Sequence, residues 1–163
     1  MAAPVKMRTV SVQHCMLECP RPFEAVRDAL VAAVPALRPE LIAMLAHGER
    51  EKVEAARRDL PKLWIFLTRD HGALTAADGL KSKAIQFDIG NPLTAERMTR
   101  YRLAAGLYAP LRVILYENER GQAVFEYDLP SSLFGQFGDD RVSAVGVELD
   151  KELETALQAA AGA

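Results

Sequence analysis

Val10, Val12 and His14 alternate with Thr9, Ser11 and Gln13. That period of two predicts a half-buried strand whose inner face includes His14. Pro20 and Pro22 end it, and Pro22 suits the first position of a helix. Phe23, Val26, Leu30, Val34 and Leu37 then recur at helical spacing, with Glu24, Arg27 and Asp28 off the stripe. One face of this helix is therefore expected to pack on a sheet. Pro35 and Pro39 interrupt the pattern. Leu41, Met44 and Leu45 predict a short helix stopped by Gly48. A second short, charged helix is expected from Glu49 to Asp59, with Val53, Ala56 and Leu60 facing one way.

Leu63 to Leu67 is an unbroken apolar run between Pro61 and the polar stretch Thr68 to Gly72. Its length and aromatic content predict a strand buried on both faces. Gly72 to Ser82 is small and polar, so a loop is expected. Ile85, Phe87 and Ile89 alternate with Ala84, Gln86 and Asp88 and predict a third strand. Asn91 can cap the next helix and Pro92 can occupy its first turn. That helix is expected to reach about Arg102, with Glu96 and Arg100 spaced for an ion pair. Leu111 to Tyr116 and Gln122 to Tyr127 read as strands joined by a hairpin that closes near Gly121. Asp128 to Gly138 has loop composition yet carries Phe134 and Phe137. Asp139 or Asp140 can cap a last helix with the stripe Val142, Val145, Leu149, Leu153, Ala156 and Leu157.

The order strand-helix-strand-strand-helix-strand-strand-helix predicts an α+β fold in a single domain over residues 1–163, ordered from residue 8. A mixed, antiparallel-rich sheet of about five strands should carry helices mainly on one face, with residues 39–60 as an extra helical segment. A sheet covered on one face should alternate cleanly. Here Ile114 and Tyr116 oppose Leu111, Val113 and Leu115, while Trp64 and Phe66 oppose Leu63, Ile65 and Leu67. Leaving such groups in water forfeits roughly 1.5–3 kcal/mol each. The second face is therefore expected to be covered by the short helices, the Phe134/Phe137 segment, an apolar ligand or a second subunit. A two-fold homodimer is the favoured cover.

Composition narrows the function classes. The chain has 163 residues, half of them apolar, which is enough for one proper core. Its net charge of -2 gives no basic excess for nucleic acid, so no nucleic-acid partner is expected. Cys15 and Cys19 are too few for a disulfide framework. No signal peptide and no run of about eighteen apolar residues is read, so a soluble cytoplasmic protein with reduced thiols and no membrane partner is expected.

The segments Ile89 to Leu93, Leu107 to Val113, Tyr127 to Ser132 and Gly135 to Asp139 carry a resemblance. They resemble longer bacterial members of the uncharacterised family called domain of unknown function three-hundred-and-two. The match runs from about Lys83 to the C-terminus, and more loosely over Pro22, Phe23 and the helix after them. The charged helices from Pro39 to Leu60 look like additions beside the shorter members. The resemblance implies a compact α+β fold, similar to the TATA-binding-protein arrangement and often dimeric. It implies no reaction, cofactor or catalytic set. DNA binding is not carried over with this charge balance.

Four constellations could carry chemistry. Phe134 and Phe137 need burial against something. With Tyr108, Pro110, Met98 and Tyr101 they could line an apolar pocket or a dimer seam, and Asn91 and Arg112 complete the candidate ligand-binding set. Simple core closure is the plainer alternative. His71, beside Asp70 at a strand end, could act as a general base with Asp128 and Ser131 or Ser132. No Gly-x-Ser-x-Gly elbow supports this, and turn chemistry explains the same residues. His14, Cys15, Cys19 and Met16, or His71, could ligate a metal or haem, although alternation sends Cys15 and His14 to opposite faces. A packed thiol and a strand-end histidine are the simpler reading. Arg97, Arg100, Arg102 and Arg112 could form an anion site near the helix start at Asn91, or merely a solvated face paired with Glu96. Nucleotide-binding loops have no motif here, and no cofactor is expected. The leading expectation is a dimeric module that binds a small apolar or amphipathic molecule. A hydrolase or isomerase using His71 with Asp128 or a serine is the alternative, and a metal- or haem-binding protein using His14 or His71 the second.

Overall fold

Strand alternation in the second half of the chain becomes sheet register residue by residue. A computed structural model describes residues 2–49, 51–52, 55 and 60–162. In chain order the elements are β1 (His14–Cys19), α1 (Phe23–Ala33), α2 (Pro39–Ala46), β2 (Trp64–Asp70), α3 (His71–Ala76) and β3 (Ala84–Gly90). Then come α4 (Pro92–Thr99), a 3-10 helix (Leu103–Tyr108), β4 (Leu111–Glu117), β5 (Ala123–Asp128), α5 (Pro130–Gly135) and α6 (Asp140–Ala161). The strands form one sheet in the order β1-β5-β4-β3-β2, every neighbouring pair antiparallel. The fold is α+β, as expected. The sheet is not mixed: the parallel element is an isolated bridge between Ala36 and Ile65.

The inner face is apolar. Leu111, Val113 and Leu115 of β4 register with Ile89, Phe87 and Ile85 of β3, and Val113 and Leu115 with Tyr127 and Phe125 of β5. Leu17 and Cys19 of β1 extend this face opposite Phe125 and Ala123. The stripes Phe23, Val26, Leu30 of α1 and Val142, Val145, Leu149, Leu153, Leu157 of α6 are buried in the same cluster. Asp139 caps α6, its Oδ1 accepting from the Arg141 N–H, and Gly162 ends it in the left-handed region at φ 90°. Asn91 caps α4 with Pro92 in its first turn. Pro22 is the N-cap of α1, one place before the position expected for it.

The expected first strand is displaced. A strand needs a partner, and β5 ends at Asp128, opposite His14. The ladder therefore covers His14–Cys19, while Val10 and Val12 lie outside it and are exposed. Cys15, Leu17 and Cys19 turn inward and His14 turns outward, the reverse of the expected face. β2 is an edge strand, not a doubly buried one. A bulge at Phe66 shifts its register, Trp64 packs in a small cluster with Leu41 and Leu93, and Leu67 is 47% exposed. The stretch expected as loop from Gly72 contains α3, which Asp70 caps by accepting from the Ala73 N–H. The Phe134 segment is also helical, as α5. The expected helix from Glu49 to Asp59 falls mostly outside the described residues.

The outer face is more polar than the apolar residues of β2 and β4 led one to expect. By register it presents His14, Met16 and Glu18 on β1, then Val124, Glu126 and Asp128 on β5. Arg112, Ile114 and Tyr116 follow on β4, and Ala84, Gln86 and Asp88 on β3. Polar groups predominate, and they bond across strands. Ile114 and Tyr116 do not make a second core, because Tyr116 spends its hydroxyl on Glu126 and Ile114 lies between Gln86 and Glu126. Trp64 is covered by α2, within the chain.

Candidate functional site

On the helical side, beside the end of β3, a cavity of about 260 Å³ opens. Gly90, the cap Asn91 and a half-buried flank of α4 (Pro92, Ala95, Glu96, Thr99) form one wall, and Ala109, Pro110 and Leu111 another. Phe66 of the β2 bulge closes a third side, over a floor of Met98, Phe134 and Leu149. Met98 and Phe134 are fully buried, so the floor is core packing turned toward an opening. Asn91 is held by the fold: it caps α4 through Oδ1 and donates from Nδ2 to the Lys62 carbonyl at 3.0 Å. Glu96 at the mouth accepts from Arg100 at 2.8 and 2.6 Å, so its charge already has a counterion. The interior is apolar, and only Thr94, Thr99 and Asn91 add neutral polar edges.

The expected ligand-binding set divides into three. Asn91, Met98 and Phe134 meet at this cavity. Tyr108 and Phe137 pack edge to face, centroids 6.0 Å apart, in a separate groove with Lys6 to Val10. Arg112 lies on the outer sheet face, away from both. Sequence reasoning missed Phe66, Thr94 and Ala95. Pro110 was in view among the pocket candidates, and its neighbours lie in the segments that resemble the family. Phe66 owes its place to a bulge that no sequence signal announced.

A second gathering lies on the outer face. His14 Nδ1 is 3.0 Å from Asp128 Oδ1, and its Nε2 is 3.0 Å from Glu126 Oε2. The Tyr116 hydroxyl donates to the other oxygen of Glu126. Its hydrogen bond to Asp128, then that to Glu126, pushes His14 above its ordinary value. The Tyr116 hydroxyl, then His14, holds Glu126 below its own. With a carboxylate at each ring nitrogen, the favoured form is the imidazolium. That form has no lone pair with which to act as a base.

The expected catalytic group does not assemble. His71 Nε2 contacts Gln86 Oε1 at 3.2 Å, whereas Asp128 contacts His14. Gln86 opposes Ile114, which opposes Glu126, so two strand spacings, roughly 9–10 Å, separate those rows. Ser131 gives its N–H to Asp150, and the Ser132 hydroxyl donates to the Leu129 carbonyl while accepting from the Gln13 N–H. Both serines thus anchor the turn into α5. Cys15 turns inward opposite Tyr127, away from His14. Among the described residues no group of three or more His, Cys, Asp or Glu side chains could hold a metal ion, with His14, Cys15 and His71 included. The four expected arginines do not converge either. Arg97 pairs with Glu148, Arg100 with Glu96, and Arg102 lies 3.9 Å from Asp139, while Arg112 is on the sheet face.

A family model described as Domain of unknown function DUF302 matches residues 50–160. No curated protein matches the chain. Among solved structures, the crystal structure of an uncharacterized conserved protein DUF302 from Bacillus stearothermophilus is similar. It aligns over 90% of this chain and 96% of that one, with a TM-score of 0.65 and 13% sequence identity. At that identity the likeness shows the fold alone. No helix among the described residues is long and apolar enough to cross a membrane.

Proposed function

The chain belongs to the family described as Domain of unknown function DUF302, and from that premise we propose that it binds one small, neutral, apolar or amphipathic molecule in the cavity beside α4. One observation carries this reading. Gly90-Asn91-Pro92 and Ala109-Pro110-Leu111, far apart in sequence, face each other across one apolar cavity floored by Phe134. Drug-sized sites have roughly 300–1,000 Å³, so 260 Å³ suits a fragment. An apolar cavity of about 150 Å³ already takes up benzene. A Cβ added at Gly90 would lie 3.4 Å from the Pro110 Cβ, in contact with the opposite wall.

Titration with indole tests the reading. Ala95→Phe puts a ring into the cavity from α4 and should weaken binding by about tenfold or more. Ile114→Phe, on the outer face, should leave it unchanged. No saturable binding to the native protein, or equal affinity in Ala95→Phe, would overturn it.

The same reading takes a homodimer as the working form. Its support is the exposed apolar side chains Met7, Leu103 and Leu107, of which Met7 and Leu107 border the groove that holds Tyr108 and Phe137. Light scattering should return a dimer mass that falls to a monomer in Leu103→Glu/Leu107→Glu. A monomeric native protein would remove this part of the reading and leave the cavity untouched.

A further inference from the structure

Thr94 sets the apolar cavity apart from ordinary core packing. It is 6% exposed, and among the described residues it is the single buried polar or charged one. It sits in the first turn of α4, after the cap Asn91. There it separates two openings. On one side lies the apolar cavity. On the other lies a polar recess with Lys62, Arg97, Glu148 and Glu152. Among the described residues no hydrogen bond takes up the Thr94 hydroxyl. Every fully enclosed side-chain N or O atom of the described residues does have a partner. The Thr94 hydroxyl is therefore not enclosed; it is reached from an opening.

The other polar groups around it are already engaged. Asn91 caps α4 and holds the Lys62 carbonyl, and Glu96 is paired with Arg100. Thr99 is half-buried, and its Cγ2 lies 3.7 Å from where a Cβ on Gly106 would stand. In the polar recess Arg97 binds Glu148, and Lys62 lies 3.9 Å from Glu152. That leaves Thr94. A hydroxyl both donates and accepts. Burying one without a partner costs free energy, which a ligand atom bonded to it offsets. In an apolar site a few placed polar groups decide which ligand is taken and which way round it sits.

We infer that Thr94 is the specificity-determining residue of the apolar cavity, and that the ligand is a compact apolar body carrying one uncharged hydroxyl or carbonyl oxygen. This rests on the cavity reading above and narrows it. The apolar walls take the body, and the Thr94 hydroxyl takes the oxygen. The oxygen is uncharged because Glu96, the charged side chain lining this cavity, is already matched by Arg100. A pure hydrocarbon fills the same space but leaves the hydroxyl unmatched. A site with a placed polar group discriminates against such an analogue.

The test compares phenol with toluene, a hydroxyl in place of a methyl, on the full chain at neutral pH. The methyl resonance of Met98, on the cavity floor, reports the binding of each. Water holds phenol more strongly than toluene, so an apolar cavity that offered no partner would favour toluene. The native protein should bind phenol at least as tightly as toluene. Thr94→Val removes the hydroxyl at nearly constant shape. It should weaken phenol binding by about tenfold and leave toluene binding equal or tighter. Thr94→Ser keeps the hydroxyl and should keep the native preference. Three results overturn the inference and leave the cavity reading standing. One is phenol binding about tenfold weaker than toluene in the native protein. Another is the same phenol-to-toluene ratio in Thr94→Val as in the native protein. The third is a loss of preference in Thr94→Ser as large as that in Thr94→Val. Saturation by neither probe overturns both readings.

Discussion

The two faces of the sheet come from the same strands and follow the same alternation, yet different forces hold them. On the inner face Val113, Leu115 and Phe125 are wholly buried, and their worth lies in apolar area removed from water. On the outer face, one residue away along each strand, Arg112, Tyr116, Glu126 and Asp128 stay partly wet. Their hydrogen bonds compete with water, and exposed pairs of this kind are worth about 0–1 kcal/mol. The contrast shows that apolar residues on both sides of a strand do not demand two cores. Val124 is 1% exposed although its register neighbours on that face are Tyr116 and Glu18. The stems of polar side chains can cover isolated apolar groups.

The comparison breaks most readily at the core. Phe125→Ala should cost about 3–5 kcal/mol in denaturant unfolding, as large aromatic truncations in closed cores do. A loss below about 1 kcal/mol would mean that the inner face is not the closed core described. Next comes Gly146→Ala, where α5 lies against α6. Its new Cβ would stand 3.0 Å from the Ser131 Cα and 3.2 Å from the Phe134 Cβ. The usual helical gain of about 1 kcal/mol should be outweighed by strain, for a net loss of about 1–2 kcal/mol. A stabilised variant would show that α5 yields easily. On the outer face Tyr116→Phe should change stability by no more than about 1 kcal/mol. A loss near that of Phe125→Ala would erase the contrast.

The smallest effect sharpens the outer face by pH. His14 titrates above its ordinary 6.5 in the folded chain, so its stabilisation is complete below 6.5 and is lost as pH rises through the raised value. Glu126 titrates below its ordinary 4.5, so its share is present above 4.5 and is lost as pH falls through the lowered value. The difference in Tm between native protein and His14→Gln should therefore be largest between pH 4.5 and 6.5 and shrink toward alkaline pH. Because His14 is more than half exposed, that difference should be small. A gap that widens above neutrality would assign the wrong protonation state to His14.

Legibility in the sequence followed the reach of each signal. The third, fourth and fifth strands, the hairpin, the Asn91 cap and the last helix depend on neighbours in the chain, and all were readable. The position of β1 depends on where β5 stops, and the face of His14 on that pairing, so neither was. α3 and α5 hid in Gly- and Ser-containing stretches and are only 6 residues long each, too short for a helical stripe to show; a Cβ at Gly72 would come within 2.4 Å of the Ser82 carbonyl oxygen. Of the cavity, Asn91, Met98 and Phe134 were among the candidates. Arg112 was not distinguishable from them, because its strand position says which face it occupies but not which face is open.

The central claim is that the helical side of the sheet, not its open side, takes up a small apolar molecule. Methyl NMR of the methionines during an indole titration tests it most directly, because Met98 floors the cavity while Met16 stands on the outer face, 60% exposed. The Met98 methyl should shift saturably and Met16 should stay in place. A shift of Met16 without Met98 would contradict the account.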